Sequence, residues 1–378
     1  MEPQVKNFAE DGGALHFTLE GVEKAFANAL RRTILSEIPT LVVQTETYET
    51  NQCHIEENTT RLHNEILKQR LSCIPIHSTL LRDTEEKKAL PGNYSLVVNV
   101  SNDTDNILYI TTNDFRLRDK ETNTMLSREE QESLFPGLFP KNVQTQSYID
   151  FARLRPSVGN ETNGEALKLH ADFSVSNAKQ NSMFNVVSKC AYGNTLDTEK
   201  SAQEWEKIEN KLRKEEESSG DIAFQKENFR LLDAQRHFLE NSFDFVIETV
   251  GVYDNRDIVR KACAVLQNKF IDIIQLIDAG VMPVFTSETT MENCYDVHLE
   301  DEDYTVGKVL EYILYRKYYD EDKTLTFCGF KKFHPHDTKS VIRLALREKQ
   351  DKSAVLHFVR DACVEAQEIH KTLYSHFK

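Results

Sequence analysis

Two stretches of the chain, 280 residues apart, carry the same spacing of apolar and polar positions. Residues 17–38 read FTLEGVEKAFANALRRTILSEI, and residues 297–314 read VHLEDEDYTVGKVLEYIL. In each, two alternating apolar residues precede acidic residues, and apolar residues then recur with a period of about 3.6. Acidic residues at that point complement the positive end of a helix dipole. Each stretch therefore predicts a strand that leads into an amphipathic helix, over about 22–37 and 304–316.

A second repeated sequence lies late in each half of the chain. VRKAC at 259–263 and VRDAC at 359–363 both fall in long amphipathic segments, 257–277 and 354–377, and each follows a strand-like run. Both halves are therefore predicted to read strand, helix, strands, long helix, and two such half-domains favour a pseudo-symmetric pair packed through helices. In that pair the helix at 22–37 is expected to pack against the helix at 304–316, and the long helices 257–277 and 354–377 are expected to brace them. The residues predicted at that interface are Phe26, Ala29, Leu30, Ile34, Val306, Val309, Leu310, Leu314, Ala262 and Leu266.

Shorter patterns fill the interval between the two halves. Asp11-Gly12-Gly13 predicts a tight turn between two strands. Thr59 or Thr60 is expected to cap a helix that Pro75 closes. Residues 94–100 and 108–112 alternate like a hairpin, and 166–175 alternate like a further strand. Residues 197–220 have interleaved charges and predict a solvated helix, with a dedicated docking arm as the alternative.

Composition narrows the class of protein. The chain of 378 residues is 39% hydrophobic and 28% charged, which is typical of a soluble globular protein of two or three domains. No apolar run approaches the roughly 18 residues of a membrane span, and no secretory signal follows Met1. The seven cysteines include no closely spaced pair, which argues for a reducing compartment. A net charge of −15 disfavours a protein that binds nucleic acid along its whole surface.

A family resemblance rests on residues 28–43, NALRRTILSEIPTLVV, followed by 56–76, EENTTRLHNEILKQRLSCIPI. Together they resemble the α-like subunits of DNA-directed RNA polymerases, and in particular the third-largest subunit of eukaryotic polymerase II. The resemblance assigns partner docking to residues of this motif, by which the 56–76 segment would dock the second-largest catalytic subunit. These residues are Arg31, Arg32, Asn58, Leu62, Glu65, Arg70, Ile74 and Pro75.

The last ninety residues resemble the small eleventh subunit, the α-like partner of the third. Residues 299–314 and 325–346 carry that resemblance, with Tyr304, Lys308 and Phe330 as departures from the family pattern. The chain therefore looks like both partners of the α-like heterodimer fused in one polypeptide. Such a gene fusion resembles that of nucleocytoplasmic large DNA viruses, either asfarvirus-like or mimivirus-like, which implies host cytoplasm (the viral factory) and the virion, or otherwise the nucleus.

The resemblance implies an α+β fold with two polymerase α-like dimerisation half-domains that form an intramolecular pseudo-dimer. The first half-domain is predicted over 1–77 plus 243–280, with a β-rich insertion domain at 78–242 and the second, small half-domain at 281–378. Many family members carry a cysteine zinc loop in the insertion. Because this chain has only Cys190 there, we expect no zinc and no other cofactor.

No catalytic constellation is identifiable, since no GxSxG elbow, Walker motif or paired carboxylates occur. The acidic run 300–303 is interpreted as helix capping in preference to a metal site, and His334 and His336 as loop residues. The implied function is a non-catalytic assembly platform of a multisubunit RNA polymerase. Its partners would be the largest, second-largest and small subunits, with DNA met only through the complex, no membrane and no homodimer.

Other classes stay open. A homo-oligomeric α-type interaction protein would pair between chains, and light scattering separates it from the monomer that a fusion predicts. A DNA-binding regulator outside a polymerase would show salt-dependent DNA binding by the isolated chain. An enzyme in its own right ranks last for want of a motif.

Overall fold

The computed structural model describes residues 1–77, 90–157, 163–215, 218–288 and 290–377. These residues form two compact units. The first unit comprises the described residues within 1–35, 188–248 and 255–378, and the second comprises those within 36–187 and 249–254.

Strands and helices alternate irregularly along the chain. In chain order they are β1 (Gln4–Asp11), β2 (Ala14–Glu20), α1 (Lys24–Ser36), β3 (Thr40–Val42), β4 (Cys53–Asn58), α2 (Asn64–Ser72), the single turn α3 (Leu90–Asn93), β5 (Tyr94–Ser101), β6 (Leu108–Thr111), β7 (Arg116–Asp119), α4 (Arg128–Leu134), β8 (Asp150–Leu154), β9 (Ala166–Asp172), β10 (Ser174–Ser176), β11 (Val187–Leu196), α5 (Thr198–Lys214), α6 (Ser219–Leu231), β12 (Phe238–Thr249), α7 (Asn255–Asp278), β13 (Val284–Thr286), β14 (Cys294–Glu300), α8 (Tyr304–Leu314), β15 (Leu325–Lys331), β16 (Lys339–Leu346) and α9 (Lys352–Ser375). A π-helix, Tyr315–Glu321, follows α8 directly.

β1 and β2 form an antiparallel hairpin whose strands pair from Gln4 with Glu20 to Asp11 with Ala14. Gly12 and Gly13 connect them with φ values of +57° and +87°, where glycine meets no steric penalty. A two-residue loop with both residues in this region matches the twist of the flanking strands. The turn predicted at the Asp-Gly-Gly sequence is confirmed.

The first unit contains two four-stranded sheets with the same strand order. One sheet has the strand order β1-β2-β12-β11 and the other β13-β14-β16-β15. In each sheet the strand that comes last along the chain lies in third place, and the strand that precedes it in the chain lies at the edge. β2 and β14 begin at Ala14 and Cys294, and α1 and α8 begin at Lys24 and Tyr304, so both pairs keep the offset of 280 residues. The predicted reading of strand, helix, strands, long helix is confirmed in both halves.

All four helices predicted by the repeat lie within two residues of their expected bounds. α7 and α9 are each 24 residues long, while α1 has 13 residues and α8 has 11. α8 stops short of the predicted residue 316 because the chain passes there into the π-helix. At 1.5 Å per residue, α7 and α9 each extend about 36 Å and therefore offer the longest faces for packing.

The compact units divide the chain differently from the predicted domains. Residue 243, the predicted return point to the first half-domain, lies inside β12, and β11 completes the same sheet. In the other direction, β4 pairs with β9, so residues 53–58 belong to the sheet of the second unit. Pairing between distant strands, which a local pattern cannot show, sets these limits. The predicted start of the insertion at residue 78 lies outside the described residues.

The second unit is β-rich, and two of its strands pair otherwise than predicted. β5 and β6 do not form a hairpin: β5 lies between β7 and β9 in the sheet β4-β9-β5-β7, and β6 pairs with β8. Asn102 is fully buried between them and donates hydrogen bonds to the carbonyls of Asn106 and Leu154, at 2.8 and 2.9 Å. These bonds turn the chain out of one sheet and into the other.

The start of α2 also differs from the prediction. Its N-cap residue is His63, which makes no side-chain capping bond, so neither threonine caps the helix. Thr60 instead donates its backbone N–H and its hydroxyl to the side-chain oxygen of Asn58, at 3.0 and 2.7 Å. Asn58 thereby shapes the loop that precedes the helix.

The charged segment after β11 forms a helical hairpin. α5 begins after the N-cap Asp197, at the predicted start, but it ends at Lys214 and does not continue to residue 220; α6 begins at Ser219. Trp205 of α5 packs against Phe229 of α6 with ring centroids 5.6 Å apart. Residues 216 and 217 of the predicted helix lie outside the described residues, and the choice between solvated helix and docking arm stays open.

Two further properties bear on the sequence-based expectations. In the described part of the chain, no helix combines the length and apolarity that crossing a bilayer requires. All seven cysteines lie in described residues, and each of them is a free thiol.

Candidate assembly interface

The ten apolar residues predicted for the pseudo-dimer interface lie in the core of the first unit. They belong to α1, α7 and α8, and none of them exposes more than 3% of its surface. Burial alone does not separate a core within one half from an interface between halves. The contacts between helices of different halves make that distinction.

The most extensive helix contact among the described residues joins α7 of the first half to α9 of the second. Val259, Ala262 and Cys263 of α7 and Val359, Ala362 and Cys363 of α9, the repeated sequences, are all fully buried. α1 and α8 meet more locally, with the rings of Phe26 and Tyr312 6.3 Å apart, edge to face. The sequence had placed the central contact between α1 and α8. The longer helices take that role because they bury larger apolar faces.

A histidine lies where three of these helices meet. His370 of α9 is 1% exposed, and its ring lies 5.6 Å from the rings of both Phe26 on α1 and Phe270 on α7. Its Nδ1 lies 2.7 Å from the carbonyl oxygen of Ala366, which it can reach as a donor. Burial among aromatic rings lowers the pKa of His370 to about 4. The side chain is therefore neutral at physiological pH and packs as an apolar group.

Arg32 links the two halves through a charged hydrogen-bond network. Its Nη2 donates to Asp303 Oδ2 at 2.7 Å, and its Nε donates to the hydroxyl of Thr305 at 2.9 Å. The other oxygen of Asp303 accepts the backbone N–H of Thr305 at 2.8 Å and caps α8. The sequence assigned Arg32 to docking a separate subunit; the structure engages it with the second half of its own chain, and the docking role stays a prediction. Arg31, also assigned to docking, bonds the side chain of Asn28.

Two further ion pairs cross between the halves. Lys269 of α7 bonds both carboxylate oxygens of Glu302 at 2.9 and 3.0 Å, and these side chains are only 14% and 15% exposed. Arg360 of α9 forms a two-bond pair with Asp278 at the end of α7, which lowers the pKa of that carboxyl. The better buried pair holds Glu302 in place, because a lone carboxylate there would lose its solvation without compensation.

These contacts refine the interpretation of the acidic run 300–303. Only Asp303 caps α8, whereas Glu302 pairs with Lys269 and Glu300 pairs with Lys339 at 3.2 Å. Asp303 therefore caps α8, while the ion pairs of Glu302 and Glu300 connect the start of α8 to α7 and β16.

The histidines of the 332–338 loop contact each other. The rings of His334 and His336 lie 5.2 Å apart, and Nδ1 of His334 accepts the backbone N–H of His336. Asp337 accepts the N–H of His334 at 3.0 Å, so these bonds shape the loop. Among the described residues, no three His, Cys, Asp or Glu side chains are placed to share a metal ion.

The docking residues assigned to the second unit are brought together only in part. Asn58 donates to the Leu62 carbonyl and to the Asn64 side chain, both at 2.8 Å. Arg70 donates to the carbonyls of Phe151 and Asp150, both at 2.8 Å, and so fixes α2 against β8. Arg70 therefore braces α2 within the unit, and its docking role stays a prediction.

Leu62 and Arg70 line a cavity of about 520 Å³. The other residues that line it were not predicted as site residues from the sequence. The full lining is Arg61, Leu62, Arg70, Ile107, Asp150, Phe151, Ala152, Arg153, Arg155 and Glu165. A signal was present in the sequence: Phe151 and Arg153 lie two positions apart in β8 and so share a face. Ile74 and Pro75 lie elsewhere, in an apolar groove of about 280 Å³ beside β3. Glu65 lies in the first turn of α2, where it complements the helix dipole.

A comparison with known proteins identifies the family to which this chain belongs. Residues 16–270 match the RNA polymerase Rpb3/Rpb11 dimerisation domain. The chain belongs to this family. Among its relatives, the DNA-directed RNA polymerase subunit Rpo3 of Pyrococcus horikoshii is 41% identical over 73 residues, covering 19% of this chain and 26% of that protein. Rpo3 of Pyrococcus furiosus is 34% identical over 110 residues, covering 29% and 38%. Human RPAC1 of RNA polymerases I and III is 38% identical over 68 residues, covering 18% of each chain.

The Rpb3/Rpb11 match covers most of the first half of the chain and does not extend to residues 281–378. It begins in β2 and ends within α7. The three relatives match this chain over no more than 38% of their own lengths. Their resemblance therefore identifies the dimerisation domain, while the likeness of residues 281–378 to the first half rests on shared strand order and helix placement.

Proposed function

We propose that this chain is a non-catalytic assembly subunit of a multisubunit DNA-directed RNA polymerase, and that it combines the third- and eleventh-subunit roles. The observation that carries the proposal is the second sheet, β13-β14-β16-β15, which repeats the strand order of the family-matched half within the same chain. A dimerisation domain ordinarily needs a second copy or a related partner. In this proposal the repeated half takes the position of that partner.

The contacts between halves support an intramolecular pseudo-dimer. α7 packs along α9, and the networks of Arg32 and Lys269 join the same two halves. Linking partners in one polypeptide replaces a bimolecular association with an intramolecular one, at an effective concentration of about a millimolar for a short linker. The fused chain would therefore present a ready-made platform, and it would not need to form a homodimer.

The platform would bind the largest, second-largest and small polymerase subunits, with DNA contacted only through the complex. The second unit offers the surfaces for this, since the cavity near Leu62 and the apolar groove at Ile74 and Pro75 are both accessible from its surface. The proposal includes no zinc or other cofactor in this chain. The fused organisation is also the basis for proposing a large cytoplasmic DNA virus as the source, with function in the host cytoplasm or virion.

Affinity purification of the tagged full chain from its native setting tests the proposal. We expect two very large chains in equal amounts, together with RNA synthesis that depends on a DNA template. Recovery of the chain alone, or only with copies of itself, would refute the assembly role. Salt-dependent DNA binding by the isolated chain would favour a DNA-binding regulator instead.

A further inference from the structure

The cavity beside α2 and β8 is a basic concave surface. Four arginines and two carboxylates line it, in a chain whose overall charge is −15. Its volume of about 520 Å³ lies in the range of sites that hold a ligand or several side chains. A concave surface lined by an excess of positive charge attracts negatively charged groups.

Two of the arginines serve the framework of the cavity. Arg70 bonds two backbone carbonyls of β8, and Arg155 donates its Nε to Glu165 at 2.6 Å. Glu165, with only 8% of its side chain exposed, also accepts the backbone N–H of Arg155 at 2.7 Å. Burial raises the pKa of Glu165, but the bonds from Arg155 and the charge of Arg61 outweigh it, so the pKa is lowered. This carboxylate stays ionised and holds one wall in position.

The other two arginines remain available to a ligand. Among the described residues, no hydrogen bond or ion pair engages the guanidinium of Arg61, and its side chain is exposed. Arg153 lies over the face of Tyr109, 5.6 Å from the ring centroid, and no other described residue forms a hydrogen bond or ion pair with its N–H donors. A planar guanidinium with unused donors binds a carboxylate or phosphate through two parallel hydrogen bonds.

The floor of the cavity is apolar. Phe151 and Ala152 are buried at 0% and 4% exposure, and Leu62 is half-buried beside them. Ile107, on the rim, is 55% exposed. An apolar floor beneath unused arginine donors matches a peptide segment that carries both acidic and apolar side chains.

We propose that this cavity receives an acidic segment of a protein partner, whose carboxylates bind Arg61 and Arg153 and whose apolar side chain packs on Leu62 and Ile107. A nucleic acid fits less well. Its continuous phosphate backbone would meet Asp150 at the mouth of the cavity and would need a basic track beyond it. Discrete carboxylates can bind the two arginines and avoid Asp150.

The identity of the partner as a polymerase subunit rests on the proposed function, but the chemistry of the cavity does not. A photo-crosslinking test separates the two. The photoreactive residue p-benzoylphenylalanine replaces Ile107 in the tagged full chain, the native assembly is purified and irradiated, and the crosslinked peptides are identified by mass spectrometry.

Matched variants then probe the charges. Arg61→Glu with Arg153→Glu reverses both available charges, while Arg61→Lys with Arg153→Lys keeps the charge and removes the planar fork. Arg128→Glu is the control, because Arg128 is exposed in the same unit, outside the cavity, at the start of α4, where an acidic residue suits the helix dipole. Circular dichroism melting of each variant confirms that it folds.

We expect crosslinks to a segment rich in Asp and Glu on a second protein. Their yield should fall about tenfold or more on charge reversal, fall less with the lysine pair, and stay unchanged with Arg128→Glu. Crosslinks to nucleic acid, to a non-acidic segment or to no other molecule would overturn the inference, as would a yield that ignores charge reversal. If the large polymerase subunits co-purify without such crosslinks, only the cavity inference fails. If an acidic segment of an unrelated protein is crosslinked and the large polymerase subunits do not co-purify, the proposed function fails and the cavity inference holds.

Discussion

Lowering the pH from 7 to 5 is expected to destabilise the first unit through His370. The pKa of this histidine is lowered from 6.5 to about 4 in the folded chain, because it is buried between Phe26 and Phe270. Above the unfolded pKa, both states are neutral and the histidine adds no pH dependence. Below it, the unfolded chain binds a proton that the folded chain excludes, so stability falls until the pH reaches the folded pKa.

The magnitude follows from the size of the pKa shift. Each unit of difference corresponds to about 1.4 kcal/mol, so the full effect approaches about 3 kcal/mol, and about 2 kcal/mol is lost between pH 7 and pH 5. Burial also lowers the pKa of His77, in the second unit, so the wild-type curve contains a second contribution of the same sign. The difference between wild type and His370→Leu isolates the buried histidine.

Urea unfolding of the full chain at pH 7, 6 and 5 measures the effect. Fluorescence of Trp205, the only tryptophan, reports on the first unit, and coincidence with far-UV circular dichroism checks for a single transition. His370→Leu should flatten the dependence on pH whatever its effect at pH 7. His357→Leu removes an exposed histidine from the same helix and is the control. If His370→Leu and wild type show the same slope, His370 is not enclosed between α1 and α7 as described.

Other perturbations test the same packing. Leu310→Asp or Leu30→Asp places an unpaired carboxylate at a fully buried position and should lower the free energy of unfolding by roughly 4 kcal/mol. The control Leu276→Asp, at a position 44% exposed on α7, should lower it far less. Equal melting temperatures for Leu310→Asp and wild type would contradict the helix packing. Lys269→Met should lower the free energy of unfolding by roughly 2 to 3 kcal/mol because it removes the cation that bonds both oxygens of the partly buried Glu302 carboxylate, and an unchanged urea midpoint would show that the pair does not matter. Light scattering should find the isolated chain monomeric, and a stable dimer would contradict pairing within one chain.

The repeat shows how much of the fold the sequence could predict. The offset between Leu30 and Leu310 predicted two strand–helix units, and both occur at that offset. The helix bounds followed from apolar periodicity, which reflects burial of one face and is a local property of the chain. The tight turn at Gly12 and Gly13 was predictable for the same reason, since its backbone conformation depends on those two residues.

Features that depend on distant contacts could not be predicted in the same way. Arg32 bonds Asp303, 271 residues away, and nothing near Arg32 in the sequence distinguishes that contact from docking to a separate subunit. β5 alternates as a hairpin strand would, but its partner β9 lies far along the chain. The cavity unites Arg61, Ile107 and Arg153 from three separate segments, and only the alternation along β8 hinted at it.

Native mass spectrometry of the purified assembly tests the central claim most directly. The claim is that both halves of the α-like pair belong to one chain and pair within it. It predicts one copy of this chain for each copy of the largest subunit, with no separate small α-like protein in the assembly. Two copies of the chain, or one copy with a separate small partner, would show that pairing occurs between chains and would contradict the account.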